Sequence, residues 1–177
     1  MSAGLCELTR QAATFGLLVD PTNPNTELET ADMQAAVDLI GHKLVVARAS
    51  TASEVDTAFT KLVQQRIDAL VVAAHAFFLG DRSYQLAELA LRNRVTAIYA
   101  FREDAVAGGL ISYGGSLTEA YHQAGIYTGR ILKGDKPADL PVQTPTKFDL
   151  VINLRTANTL GLTIPPGILA IADEVIE

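Results

Sequence analysis

"FREDAVAGGLISYG", residues 101–114, decides how this chain is organised. The charged triplet Arg102, Glu103 and Asp104 follows an apolar run, and the pair Gly108-Gly109 leads into a second short apolar run that ends at Gly114. Such a stretch is either a surface hairpin or a passage from one structural unit to another. Glycines permit the sharp change of path that both require, so the flanking sequence has to separate them.

Upstream, apolar runs alternate with amphipathic stretches. Residues 14–19 (TFGLLV), 44–48 (LVVAR), 69–74 (ALVVAA) and 95–100 (VTAIYA) lack polar alternation, the pattern of strands covered on both faces. Between the first two, Thr26-x-x-Glu29 reads as a capping box, with Met33, Ala36, Val37 and Ile40 on one stripe and Gly41 as the stop. From Ser53, Val55, Ala58, Phe59, Leu62 and Val63 fall at helical spacing, and Leu86, Leu89 and Ala90 do so between 81 and 93. A strand-helix unit repeated in this way predicts an α/β fold, a three-layer doubly wound parallel sheet of flavodoxin-like type.

Downstream, Ser116-x-x-Glu119 is a further capping box, opening a helix with Tyr121, Ala124, Gly125, Thr128, Ile131 and Leu132 on one face and Gly134 at its end. Pro137, Pro141 and Pro145 make the next segment extended or looped. Residues 147–154 (KFDLVINL) read as a last strand and 156–160 as a helical turn stopped by Gly161. Pro165-Pro166 opens a C-terminal helix expected to run through Val175.

Composition narrows the function. With 177 residues, 49% hydrophobic, one core is the default. A net charge of -6 argues against nucleic-acid or anionic-membrane partners, which need a basic face. The single cysteine, Cys6, excludes an internal disulfide and a cysteine-based metal cluster. Neither a signal peptide nor a membrane span is visible. No G-x-G-x-x-G, phosphate-loop lysine motif, G-x-S-x-G elbow or C-x-x-C occurs, and the three histidines lack metal spacing. Nothing nominates a nucleophile, a cofactor or a metal, so a non-catalytic binding domain outranks an enzyme.

In a doubly wound sheet a ligand sits at the carboxyl ends of the strands, which makes residues 20–26 (DPTNPNT), 49–53, 74–81 (AHAFFLGD) and 101–104 the candidate loops. Asp, Asn, Thr and Pro also form turns for purely local reasons. His75, Phe77 and Phe78 stand where a polar turn is usual; either they meet a ligand, or the rings fold back under the sheet end and His75 makes a structural hydrogen bond.

The runs LLVDPTNPNTELE and IDALVVAAHAFF, and nearly all of residues 97–177, resemble the C-terminal half of the substrate-binding proteins of one ABC transporter family, which includes tryptophan/tyrosine-type uptake binding proteins. The resemblance covers residues 7–177 and is most specific after Ala97, including Ile164-Pro165-Pro166 and the closing Ala172-Asp173-Glu174-Val175-Ile176. It implies a type I periplasmic-binding-protein fold, two α/β lobes joined by three crossings with the ligand between them. Residues 7–104 would be the second lobe, 105–146 a crossover with a strand and helix of the first, and 147–177 the return strand and closing helices. The opening stretch would then be a passage, leaving the second lobe after Phe101 and entering the first near Leu110.

The resemblance further implies a small organic solute as partner, an amino acid among the candidates, and an ABC permease, with the full-length parent outside the cytoplasm. Thr22, Asn23 and Asn25 would hydrogen-bond polar ligand groups, Phe77 and Phe78 would pack on an apolar part, and His75, Arg102 and Glu103 would line the same wall. Arg102 would meet a ligand carboxylate or form an internal salt bridge with Glu103 or Asp104. Apart from that strand and helix, the family's first lobe would be missing here, which would leave apolar groups such as Ile111, Tyr127 and Ile131 uncovered. Burying them at about 25 cal/mol per Å2 predicts a homodimer or a swap of the 105–135 arm. The alternative of another class is a free-standing flavodoxin-like domain acting as an enzyme or cytoplasmic sensor.

Overall fold

The computed structural model describes residues 13–145 and 147–177. Seven strands form one sheet: β1 (Thr14–Val19), β2 (Lys43–Arg48), β3 (Ala69–Val72), β4 (Thr96–Tyr99), β5 (Ile111–Gly115), β6 (Phe148–Asn153) and β7 (Glu174–Ile176), in the order β2-β1-β3-β4-β5-β6-β7. Every pair is parallel except β5 with β6. The expected α/β sheet with helices is therefore present.

The helices α1 (Thr26–Leu39), α2 (Ala52–Gln64) and α3 (Asp81–Arg92) connect the first four strands. Amphipathic spacing seats α2 and α3: Val55, Phe59, Leu62 and Leu86 are buried against Leu18, Leu70 and Tyr99 in the main core. Thr51 caps α2 by accepting from the Glu54 amide at 3.3 Å. The capping box expected at Thr26 does not form. Asn25 is the N-cap without a side-chain bond, because the Thr26 hydroxyl donates to the Asp20 carbonyl instead. The apolar stripe of α1 is also narrower than expected, since Val37 is buried while Ala36 and Ile40 are exposed.

Residues 101–114 form neither a hairpin nor a direct exit. Arg102–Val106 is a short helix, α4, Gly108 turns the chain at φ 108, and the chain re-enters the same sheet as β5. Ala105, Leu110 and Ile111 are buried, the last two in a second core with Leu150, Ile152, Ile164 and Ile168. The strand expected near Leu110 begins beside β4: Ile111 and Ser112 pair with Ile98 and Tyr99. Only Tyr113, Gly114 and Gly115 run past β4, still paired with β6. They lead into α5 (Leu117–Leu132), which has no buried residue. The chain thus stays beside β4 as far as Ser112 and beside β6 as far as Gly115.

The C-terminus also differs. The helix expected through Val175 stops early, as α6 (Leu154–Leu160) is followed only by the four-residue α7 (Pro166–Leu169). The Asp173 carboxylate accepts from the Leu150 amide at 2.9 Å, and the chain then pairs beside β6 as β7.

Tyr99 is buried at 2% exposure, and its hydroxyl has no hydrogen-bond partner among the described residues. Burial, with a smaller contribution from Asp104, pushes its phenol far above the usual range. An unpartnered buried hydroxyl costs about 1–3 kcal/mol. Tyr99→Phe is therefore expected to leave the urea midpoint unchanged or raise it; a loss above about 1 kcal/mol would reveal a partner for the hydroxyl.

Candidate functional site

The loops after β1 and β3 meet at the carboxyl end of the sheet, and a buried acid joins them. Asp20 directly follows β1 and is 3% exposed. One carboxylate oxygen, Oδ1, accepts from both the amide and the hydroxyl of Thr22, each at 2.8 Å. The other, Oδ2, lies 2.8 Å from His75 Nδ1, off the direction of an ideal ring N–H bond. The Asp20 backbone carbonyl accepts from the Asn23 amide at 3.1 Å and from the Thr26 hydroxyl. Asn23 turns inward, its side-chain oxygen accepting from the Asn25 amide at 3.0 Å. Thr22 and Asn25 are exposed.

The β3 loop continues as a 3-10 turn, Ala76–Phe78. Phe78 is buried at 2% in the main core, while Phe77 is half-buried and meets it edge-on with centroids 5.2 Å apart. The folding-back alternative thus holds for Phe78, and Phe77 keeps an accessible face. Glu29, in the first turns of α1, completes the cluster. Loss of solvent raises its carboxyl above the usual range, opposed by the nearby His75.

Arg102 does not pair with Glu103 or Asp104. Its Nε and Nη2 grip the Glu174 carboxylate at 2.6 and 2.7 Å, tying α4 to β7. The hydrogen bonds to Glu174 hold the guanidinium in its charged form, and its fork is already occupied. Glu103 is exposed. Arg48, at the end of β2, likewise has a partner, Glu27, at 3.2 Å. The structure therefore brings together Thr22, Asn23, Asn25, His75 and Phe77, buries Phe78 and pairs Arg102 with Glu174. Asp20, Glu29 and Glu174 were not among the side chains expected at the site from sequence. An aspartate that ends a strand apolar enough to be covered on both faces is the one signal that could have found Asp20.

A hollow of about 650 Å3 lies elsewhere, between α5 and the segment leading into β6, lined by Glu119, Gln123, Tyr127, Gln143 and Lys147 among others. No group of three or more His, Cys, Asp or Glu side chains that could hold a metal ion occurs among the described residues. No helix among them is long and apolar enough to cross a membrane.

Known proteins carry a similar fold. Residues 5–176 match the model of the ABC transporter substrate binding protein family, and the chain belongs to that family. A tyrosine-binding protein of Clostridioides difficile is 23% identical over 155 residues, 88% of this chain and 44% of that protein. A conserved domain protein of Vibrio cholerae superposes with a TM-score of 0.88 at 24% identity, over 97% of this chain and 57% of the other. An ABC domain from Streptococcus pneumoniae in complex with L-Trp superposes at 0.85 with 23% identity, over 98% and 59%. The chain thus spans roughly half the length of the proteins it matches.

Proposed function

We propose that this chain supplies one wall of an extracytoplasmic receptor that captures a small organic solute, an amino acid of aromatic type being the leading class, for an ABC permease. The observation that carries the reading is the joining of loops 20–25 and 75–78 through Asp20 and His75 at the carboxyl end of a sheet of this family. Thr22, Asn25 and His75 offer polar groups there, and the open face of Phe77 offers an apolar one. Arg102 and Glu103 flank this wall, and the Arg102 fork is held by Glu174. The tyrosine-binding relative and the neighbour in complex with L-Trp set the first probes.

The test is a two-dimensional amide NMR titration of the chain with L-tyrosine and L-tryptophan at millimolar concentration. Shifts confined to residues 20–25, 75–78 and 101–103 support the reading; shifts elsewhere, or none, reject it. Because a ligand held from one side loses the contacts of the other, calorimetry should show no micromolar affinity for the chain alone. Tight binding would mean that the cleft needs no second wall.

The homodimer belongs to the same proposal. Along α5, Tyr121 is 75% and Leu132 83% exposed on one side of the helix, with the exposed Ile131 at its margin, and Tyr113 stacks on Phe148 at 5.8 Å with both rings exposed. A face of this kind favours self-association when nothing else covers it. Light scattering at micromolar concentration is expected to give a mass above that of one chain; a strictly monomeric species sinks the dimer.

A further inference from the structure

The two nitrogens of His75 are in different settings. Nδ1 is buried and lies 2.8 Å from Asp20 Oδ2, with its ring N–H direction not aligned on that oxygen, whereas Nε2 takes part in none of the hydrogen bonds among the described residues. The ring is only partly covered, its side chain 27% exposed against 3% for Asp20. Asp20 cannot swing away, because the Thr22 amide and hydroxyl both donate to its other oxygen and its backbone carbonyl anchors the start of α1.

Resting on the solute-binding reading above, we infer that Asp20 is a positioning residue that keeps the His75 proton on Nδ1, so that Nε2 offers a lone pair to a hydrogen-bond donor of the ligand. A neutral imidazole carries one proton, and the partner of one nitrogen decides the role of the other. A fixed carboxylate accepts and never donates, so the nitrogen facing it must hold the hydrogen. The exposed nitrogen is left as an acceptor. Glu29, whose carboxyl lies near enough to interact with His75, adds a second acceptor-rich surface on the α1 side. The arginines at the ends of β2 and β4 already have carboxylate partners. The chemistry selected is therefore a ligand N–H or O–H group: an ammonium, an indole N–H or a phenol. A ligand that presents only acceptors to Nε2 leaves that lone pair unpaired, and discrimination of this kind is steep in a partly buried site.

The experiment is long-range 1H–15N NMR of the imidazole in the 177-residue chain at pH 8.5, well above the ordinary imidazole range. The Nδ1–H tautomer is expected in the wild type, and Asp20→Asn is expected to shift the population towards Nε2–H. A wild-type ring protonated on Nε2, or a tautomer ratio unaffected by Asp20→Asn, overturns the inference whatever the ligand does. If Asp20→Asn does not fold, the wild-type tautomer decides this arm alone. L-Tyrosine and L-tryptophan are then added. A change at Nε2 supports the acceptor role, and His75→Phe should weaken binding at least tenfold while the fold is retained. Amide shifts at Thr22 and Phe77 without any change at Nε2 overturn the role of His75 but leave solute binding standing. The absence of shifts throughout overturns both.

Discussion

Replacing Gly114 by alanine is expected to lower the unfolding free energy by about 3 kcal/mol, the top of the usual range for overpacking. A Cβ at this position would overlap the Ala100 carbonyl oxygen and stand 3.0 Å from its carbon. Both are backbone atoms of the link between β4 and α4, so neither can rotate aside as a side-chain end can. Gly16 illustrates the difference: its Cβ would meet Ile67 Cδ1 at 2.7 Å, a contact that a rotamer change relieves. Gly115 is the internal control, since its nearest neighbours are Pro145 side-chain atoms at 3.4 Å. Urea unfolding should give a large fall in midpoint for Gly114→Ala and a small one for Gly115→Ala. A Gly114→Ala protein within about 0.5 kcal/mol of wild type would mean that the two strands are not in contact there.

The position of Gly114 explains the magnitude. It lies two residues past Ser112, the last residue of β5 paired with β4, and its close approach to Ala100 constrains the path from Tyr113 to α5. The same substitution is therefore expected to change how α5 is presented.

Parts of this arrangement were legible in the sequence because their causes are local. Strands covered on both faces must be apolar throughout, so β1 to β4 stand out as runs, and a cap such as Ser116 acts over three residues. The short strand β7 was not legible. Three residues beginning with an acid carry no periodicity, and their pairing depends on β6 and on the Asp173 contact to Leu150. The candidate site divides in the same way. The loops were found from strand ends, but Arg102 finds its partner 72 residues away, and His75 reaches Asp20 across two strand-helix units. Side-chain partners at such separations leave no trace in spacing. The Thr26 error has the same root: the hydroxyl that would cap α1 found the Asp20 carbonyl, which the fold brought within reach.

Asp104→Asn is expected to stabilise the protein at pH 7.5 and to give no gain at pH 4. Asp104 is 3% exposed, and burial raises its carboxyl to about 6 despite hydrogen bonds from Ser83 and the Phe101 amide. The geometry agrees with a retained proton. Ser83 Oγ has one hydrogen, yet two acceptors face it: Asp104 Oδ1 at 2.5 Å and the Phe78 carbonyl at 3.1 Å. A proton on Asp104 lets its hydroxyl donate to Ser83 while Ser83 donates to Phe78, and Oδ2 still accepts from the Phe101 amide at 3.2 Å. Asparagine reproduces that pattern at every pH, its amide donating to Ser83 and its oxygen facing Phe101. An acid whose folded value lies above its unfolded one binds more protons when folded. Its contribution is complete below about pH 4 and is lost as pH rises through about 6, a difference on the order of 2–3 kcal/mol. Glu29 is shifted in the same direction, while Glu54, Asp173 and Glu174 are lowered and act in the opposite sense. These contributions cancel in the difference between wild type and Asp104→Asn. That difference, measured by urea unfolding from pH 4 to 7.5, should open between pH 4 and 6 and then level off; a difference independent of pH would show that Asp104 titrates at an ordinary value.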